Sequence, residues 1–158
     1  MAKNKTDVLQ EIKKEHDEFR DLVTSIENAK GNNKKRLFEE LYANLIGHHE
    51  SEEHVLFPDI KTKSDDKGKD IVMEMIEEHS LLAYQFSVIQ KTSIDNETWD
   101  AKFSVLKELL THHMDEEEKD LFKQARKVLD EETLLDKYDP FEATMEKYKD
   151  EQEKKLNK

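Results

Sequence analysis

Two related stretches read LIGHHESEEHVLFP at residues 45–58 and THHMDEEEKDLF at residues 111–122. In the first, His48 and Glu52 are four residues apart, so a helix carries the imidazole and the carboxylate on one face, one turn apart. In the second, His113 and Glu117 repeat this spacing. Each pair can chelate a cation, and two such pairs predict a two-metal site inside a helical bundle.

The composition favours one helical domain. The chain has 158 residues, of which 41% are charged while only 3 are Gly and 2 are Pro. Hydrophobic residues make up 35% and recur with helical spacing, so we expect a folded core rather than a disordered chain. The formal charge of −12 argues against nucleic acid and anionic membranes as partners.

The sequence also limits the chemistry and the location. Because there is no cysteine, disulfides, thiolate nucleophiles and cysteine-bound iron–sulfur clusters are excluded. No apolar run approaches the length of a membrane span, and the first ten residues lack the apolar core of a signal peptide. We therefore expect a cytoplasmic protein.

Four helical segments are predicted from apolar residues that alternate at spacings of four and three. They cover about residues 6–29, 34–60, 70–91 and 96–130, with a polar loop over 61–69. In the second segment the apolar stripe runs through Leu45 and on to Val55, and Pro58 is expected to bend or loosen the end of the helix. Mid-helix Gly47 is expected to permit close packing of a neighbouring helix.

The predicted fold is thus all-α, an up-down-up-down four-helix bundle over residues 1–130. Residues 131–158 form a charged helical extension, in which Phe141, Met145 and Tyr148 recur at helical spacing. We expect a short amphipathic helix there that packs loosely or becomes ordered with a partner.

The helical period selects the histidines that point inward. His48 and His113 continue the apolar stripes, whereas His49 and His112 lie about 100° away around their helices. With His54, the latter two are expected at the solvated surface. The inward set places one histidine near the middle of each segment and brings six polar groups to one layer: His16, His48, Glu52, His79, His113 and Glu117.

Two carboxylates in that layer are the strongest sign of a metal. A single histidine on an apolar face is commonly a hydrogen-bonded core residue. Glu52 and Glu117, however, would each cost several kcal/mol if buried as unpaired ions, and no Lys or Arg lies at a neighbouring core position. Two divalent cations would neutralise them. Glu53 and Glu118, which follow directly, are candidate acceptors for imidazole N–H groups.

These residues resemble the hemerythrin-like (HHE cation-binding) domain over about residues 7–129. The features that carry the resemblance are His48 to Glu52 followed by Val-Leu-Phe-Pro, His113 to Glu117 followed by Leu-Phe, and the lone His16 and His79. The resemblance implies a non-haem centre of two iron ions, with the four histidines as terminal ligands. It further implies that Glu52 and Glu117 bridge the metals and that an oxo or hydroxo group completes the pair.

The chain departs from oxygen-carrying hemerythrins at Met75, where those proteins have a second histidine one turn before His79. It also lacks their longer His-to-Asp spacing on the fourth helix. The site is therefore similar to the four-His, two-Glu sites of iron-centre repair proteins, with more open coordination positions.

Two functions follow from the resemblance. The first is a sensor or scavenger that binds or reacts with oxygen, nitric oxide or peroxide. The second is iron storage, iron delivery or repair of iron centres, with a redox or iron-acceptor protein as partner. A structural zinc bundle is a weaker third reading, since zinc seldom needs six such ligands. Two other metal-protein classes are disfavoured, because neither the Glu-x-x-His pattern of ferritin-like proteins nor the H-E-x-x-H pattern of metalloproteases occurs.

Overall fold

The computed structural model describes residues 6–157, and all regular structure in that part of the chain is helical. In chain order the elements are α1 (Val8–Asn28), α2 (Gly31–Ser51), a π-helical turn π1 (Glu52–Leu56), α3 (Phe57–Lys63), α4 (Asp66–Gln90), α5 (Trp99–Glu116), a second π-helical turn π2 (Glu117–Leu121), α6 (Phe122–Val128), α7 (Glu131–Asp136) and α8 (Tyr138–Leu156). Because π1 joins α2 to α3 and π2 joins α5 to α6, the bundle has four long helices, namely α1, α2–α3, α4 and α5–α6, with α8 as a fifth helix beside them. The predicted bundle fold is confirmed. Within residues 6–157, no helix has the length and apolar character needed to cross a membrane.

Short links and side-chain caps set the helix boundaries. Asp7 caps α1 by accepting a hydrogen bond from the backbone N–H of Gln10, at 2.9 Å. Gly31 begins α2 with a φ of 58°, a left-handed conformation that favours glycine in this tight reversal. Asp65 caps α4 through the N–H of Gly68, so α4 begins four residues before the predicted boundary and the predicted 61–69 loop is largely helical.

Two apolar clusters fill the bundle, one on either side of the layer of histidine and glutamate. In α1, for example, Ile12 belongs to one cluster and Phe19 to the other, and His16 lies between them. The first cluster includes Phe19, Val23, Phe38, Leu41, Phe86, Trp99 and Phe103, and the second includes Leu9, Ile12, Leu56, Phe57, Met75 and Leu121. Each long helix runs from one cluster to the other, and its inward histidine lies between the two.

Both π turns begin at a glutamate of the polar layer. The N–H of Phe57 donates to the carbonyl of Glu52, five residues back, and Phe122 makes the same bond to Glu117. The extra residue in each turn shifts the inward stripe, so Leu56 is fully buried and the predicted core position Val55 is only half-buried. The expected loosening before Pro58 is confirmed. Since no proline lies near π2, a proline after the turn is not required for such a turn.

The C-terminal helix α8 packs along α2. A Cβ atom at Gly47 would lie 2.6 Å from the carbonyl oxygen of Met145, so the close packing expected at this glycine is confirmed. The hydroxyl of Ser51 donates to the carbonyl of Phe141, whose side chain is fully buried. The expectation of loose packing was wrong, because small residues on α2 let the α8 backbone approach closely enough to bury its apolar face.

Candidate metal centre

Seven polar side chains meet in the layer between the two apolar clusters. Each of the four long helices contributes an inward histidine, α2 contributes a second one, and each π turn contributes its first residue. All seven are at most 5% exposed: His16, His48, His49, Glu52, His79, His113 and Glu117. The six residues selected from the sequence are thus brought together, and one further histidine joins them.

The layer contains two overlapping groups of potential metal ligands. One consists of His49, Glu52, His79 and His113, and the other of His16, His48, Glu52 and Glu117. Within each group, one potential ligand atom per residue lies within 4.8 Å of every other such atom. Because Glu52 belongs to both groups, its carboxylate lies between two places where a cation fits.

Buried atoms without partners show that the layer fits cations. The Nε2 atoms of His48, His79 and His113 and all four carboxylate oxygens of Glu52 and Glu117 have no hydrogen-bond partner among residues 6–157. Leaving so many polar atoms unsatisfied in the interior is costly. Metal coordination through imidazole nitrogen and carboxylate oxygen satisfies them, and such mixed N and O ligands suit divalent transition metals.

In four of the inward histidines, the Nδ1 nitrogen contacts a carboxylate. This contact fixes the orientation of each ring. Because an ionised carboxylate only accepts hydrogen bonds, each Nδ1 carries the proton and each Nε2 is turned toward the layer. The contacts are His16 Nδ1 to Glu118 at 2.7 Å, His48 Nδ1 to Glu15 at 2.8 Å, His79 Nδ1 to Glu53 at 2.7 Å and His113 Nδ1 to Glu78 at 2.7 Å. This carboxylate–histidine arrangement is typical of metal sites.

The four carboxylates form a closed ring around the bundle. Each long helix supplies the carboxylate for the histidine of the next, in the order α1, α2 with π1, α4, and α5 with π2, and the last returns to α1. The predicted acceptor roles of Glu53 and Glu118 are confirmed. Glu15 and Glu78 were missed, although each directly precedes an inward histidine in the sequence.

Imidazole nitrogens and carboxylate oxygens approach one another closely across the layer. Nε2 of His16 lies 2.9 Å from a carboxylate oxygen of Glu117, and Nε2 of His79 lies 3.2 Å from one of Glu52. Burial by itself lowers the pKa of His16 and of His79, but the carboxylates on both sides more than offset this and raise it. Each of these two rings therefore lies where positive charge is favoured.

The two carboxylates of the layer shift each other's pKa. Burial, together with the charge of Glu117, raises the pKa of Glu52 well above its usual range. Burial also acts to raise the pKa of Glu117, but contacts with His16 and Glu52 lower it below its usual range. Burial thus disfavours two ionised carboxylates side by side, a cost that a cation between them would remove.

The prediction that His49 lies at the surface was wrong. Its ring is 5% exposed and stacks on the ring of His79, with centroids 3.7 Å apart. Burial and the neighbouring imidazoles lower the pKa of His49 well below its usual value, which favours a neutral ring. The buried face of α2 is wide enough to include two adjacent positions, so both His48 and His49 face the layer. His49 therefore adds a fifth imidazole to the layer. It comes from α2, whereas the position on α4 that the sequence comparison pointed to holds Met75.

The two remaining histidines, His112 and His54, lie at the surface, as expected. The side chain of His112 is 72% exposed and the side chain of His54 is 51% exposed. His54 donates from Nδ1 to the backbone carbonyl of Glu50 at 2.7 Å. Neither belongs to the buried layer.

Comparisons with known proteins bear on the family and the fold of the chain. The family model described as "Hemerythrin HHE cation binding domain" matches residues 7–125, and no curated protein sequence matches the chain. The fold resembles the crystal structure of a hemerythrin HHE cation binding domain-containing protein from Mycobacterium kansasii, with a TM-score of 0.81 and 22% identity. That alignment covers 92% of this chain and 89% of the other. Because the family model spans well over half of the residues, the chain belongs to the hemerythrin HHE cation-binding family.

Proposed function

We propose that the protein holds two iron ions in the buried layer and binds or reacts with a small ligand such as oxygen, nitric oxide or peroxide. The observation that carries this proposal is the pair of overlapping ligand groups that share Glu52. In it, five imidazoles and two carboxylates would hold the ions, His16, His48, Glu52 and Glu117 around one and His49, Glu52, His79 and His113 around the other. Bound iron would supply redox chemistry and open coordination positions for the ligand.

The residues of the chain would orient the ligand atoms and exclude bulk water. The carboxylate ring keeps the protons on Nδ1, so each Nε2 lone pair is available for coordination. Phenyl rings form the apolar walls: Phe19 and Phe141 pack edge-on against His48 at 5.2 and 5.8 Å, and Phe57 stacks on His79 at 5.6 Å. Such walls favour a small ligand over a large one.

Iron delivery is the alternative, and the burial of the layer argues against it. A delivery protein needs an ion that leaves readily, whereas all seven candidate ligands are at most 5% exposed. With His49 included, the layer offers seven protein ligands rather than the six expected from the sequence. Both features support a cofactor that stays bound.

The test is the iron content per chain, with the visible spectrum recorded before and after reduction and after addition of azide or nitric oxide. We expect about two irons per chain and a spectrum that changes with these ligands. Glu52→Ala should lower the content of both ions because its carboxylate serves both groups, whereas the surface variant His54→Ala should match the wild type. An iron-loaded protein whose spectrum ignores all these ligands would contradict the proposed reactivity. Loss of iron to a mild chelator within seconds would favour delivery.

A further inference from the structure

A second group of potential ligands lies on the surface, outside the buried layer. One carboxylate oxygen each of Glu78 and Glu116 and a ring nitrogen of His112 lie within 4.8 Å of one another. Nε2 of His112 is 2.8 Å from a carboxylate oxygen of Glu116, one turn further along α5, and Glu78 approaches from α4. The proposed function uses neither His112 nor Glu116.

The chemistry of this group suits a divalent transition cation. One imidazole and two carboxylates offer nitrogen and oxygen ligands with two negative charges, and the exposed His112 leaves space for water to complete the coordination. Glu74 and Asp120 lie close enough to Glu116 for their charges to act on it. A cation would thus enter a locally negative field.

Glu78 connects this group to the buried layer. Its carboxylate accepts a hydrogen bond from Nδ1 of His113, and the same side chain is 25% exposed. The histidines of the two sites are neighbours in the sequence, since His112 faces solvent and His113 faces the layer. The surface group therefore lies directly outside one of the two buried ligand groups.

We propose that Glu78, His112 and Glu116 form a surface site for one divalent transition cation, which is captured there before it enters the buried layer. The capture role rests on the proposed function, whereas binding at the surface site does not. The comparable surface pair of Glu50 and His54 lies 3.6 Å apart and has the same four-residue spacing, but no grouping of ligand atoms within residues 6–157 adds a third residue to it. This pair is the matched control.

The experiment is equilibrium dialysis of the full chain, freed of metal, against buffered Co²⁺, a cation whose visible absorption reports its coordination. The wild type should bind about one Co²⁺ per chain more than His112→Ala, and Glu116→Gln should lose the same ion while keeping a side chain of similar shape. We expect the affinity for this ion to fall by more than about tenfold, because removing even an outer partner of a metal ligand costs roughly tenfold or more. His54→Ala should bind like the wild type.

Equal Co²⁺ binding by the wild type, His112→Ala and Glu116→Gln would overturn the surface site. If the buried pair did not form, the wild type would bind one ion and His112→Ala none, so the proposed function would fail while the surface site stood. The capture role is tested by rate. At low Co²⁺ the buried layer of His112→Ala should fill about tenfold more slowly, because the local concentration of cation is lost. Equal filling rates would overturn capture.

Discussion

Replacing Glu53 by Gln should weaken metal binding in the buried layer without changing its direct ligands. The Glu53 carboxylate lies 2.7 Å from Nδ1 of His79 and its side chain is 31% exposed. Gln can still accept this hydrogen bond through its amide oxygen, but the bond no longer involves a charge. Hydrogen bonds to charged groups contribute about 1.5–3 kcal/mol and neutral ones about 1 kcal/mol, so we expect a loss of roughly 1 kcal/mol after allowing for exposure.

A loss of that size corresponds to a five- to tenfold weaker affinity, roughly. Glu53→Ala removes the acceptor altogether and frees the ring, and should cost up to about a hundredfold. The assay is competition for Fe²⁺ or Co²⁺ against a chelator of known affinity, with metal per chain as the readout. Glu50→Gln is the control, because Glu50 lies at the surface beside His54 and contacts no inward histidine.

Metal binding within twofold of the wild type by both variants of Glu53 would contradict a role for this carboxylate. A loss of affinity in Glu50→Gln as large as that in Glu53→Gln would do the same, because the effect would then follow the net charge and not the contact with His79.

Three further predictions concern packing, the fifth imidazole and pH. Gly47→Ala should lower stability by about 1 kcal/mol in thermal unfolding, because overpacking against Met145 costs about 1–3 kcal/mol and the gain in helix propensity is about 1 kcal/mol; a rise in melting temperature would contradict the packing of α8. His49→Ala should change the spectrum of the iron-loaded protein and His54→Ala should not, and identical spectra would exclude His49 as a ligand. Burial and contacts with Glu15 and Glu142 raise the pKa of Glu11 to about 9, so its contribution to stability is complete below the ordinary value of 4.5 and is lost as the pH rises through about 9. Glu11→Gln should therefore flatten the fall of melting temperature between these pH values, and an unchanged slope would refute this assignment.

The helical period was sufficient to predict the bundle and the common layer of its central polar residues. An α-helix repeats every 3.6 residues, so His16 and His79 are recognised as inward because they fill gaps in apolar stripes. The four-residue spacing of His48–Glu52 and of His113–Glu117 then identifies the other four residues of the layer. These are local properties of each helix, and a single sequence contains them.

The features that were missed depend on the neighbouring helix. Whether Glu15 or Glu78 accepts from an imidazole is decided by the helix beside it, and the sequence of one helix does not contain that information. The same holds for His49, which is buried because α2 contacts partners over a wide face. The sequence predicted a loosened helix end but not a π turn. One extra residue in a helical turn leaves the composition unchanged, and its effect is that Leu56 rather than Val55 lies in the core.

The position of the polar layer between two apolar clusters has a consequence for cooperativity. Each long helix passes through both clusters, but at the layer the helices are held together by side chains with unsatisfied polar atoms. With cations bound, the layer joins the two ends, and the bundle should unfold as one unit. Without bound cations, we expect the two ends of the bundle to open separately. Amide hydrogen exchange would then show two groups of backbone amides with different protection, and added metal should give both groups the same protection. Metal occupancy would then govern how far a local opening spreads as well as how stable the protein is.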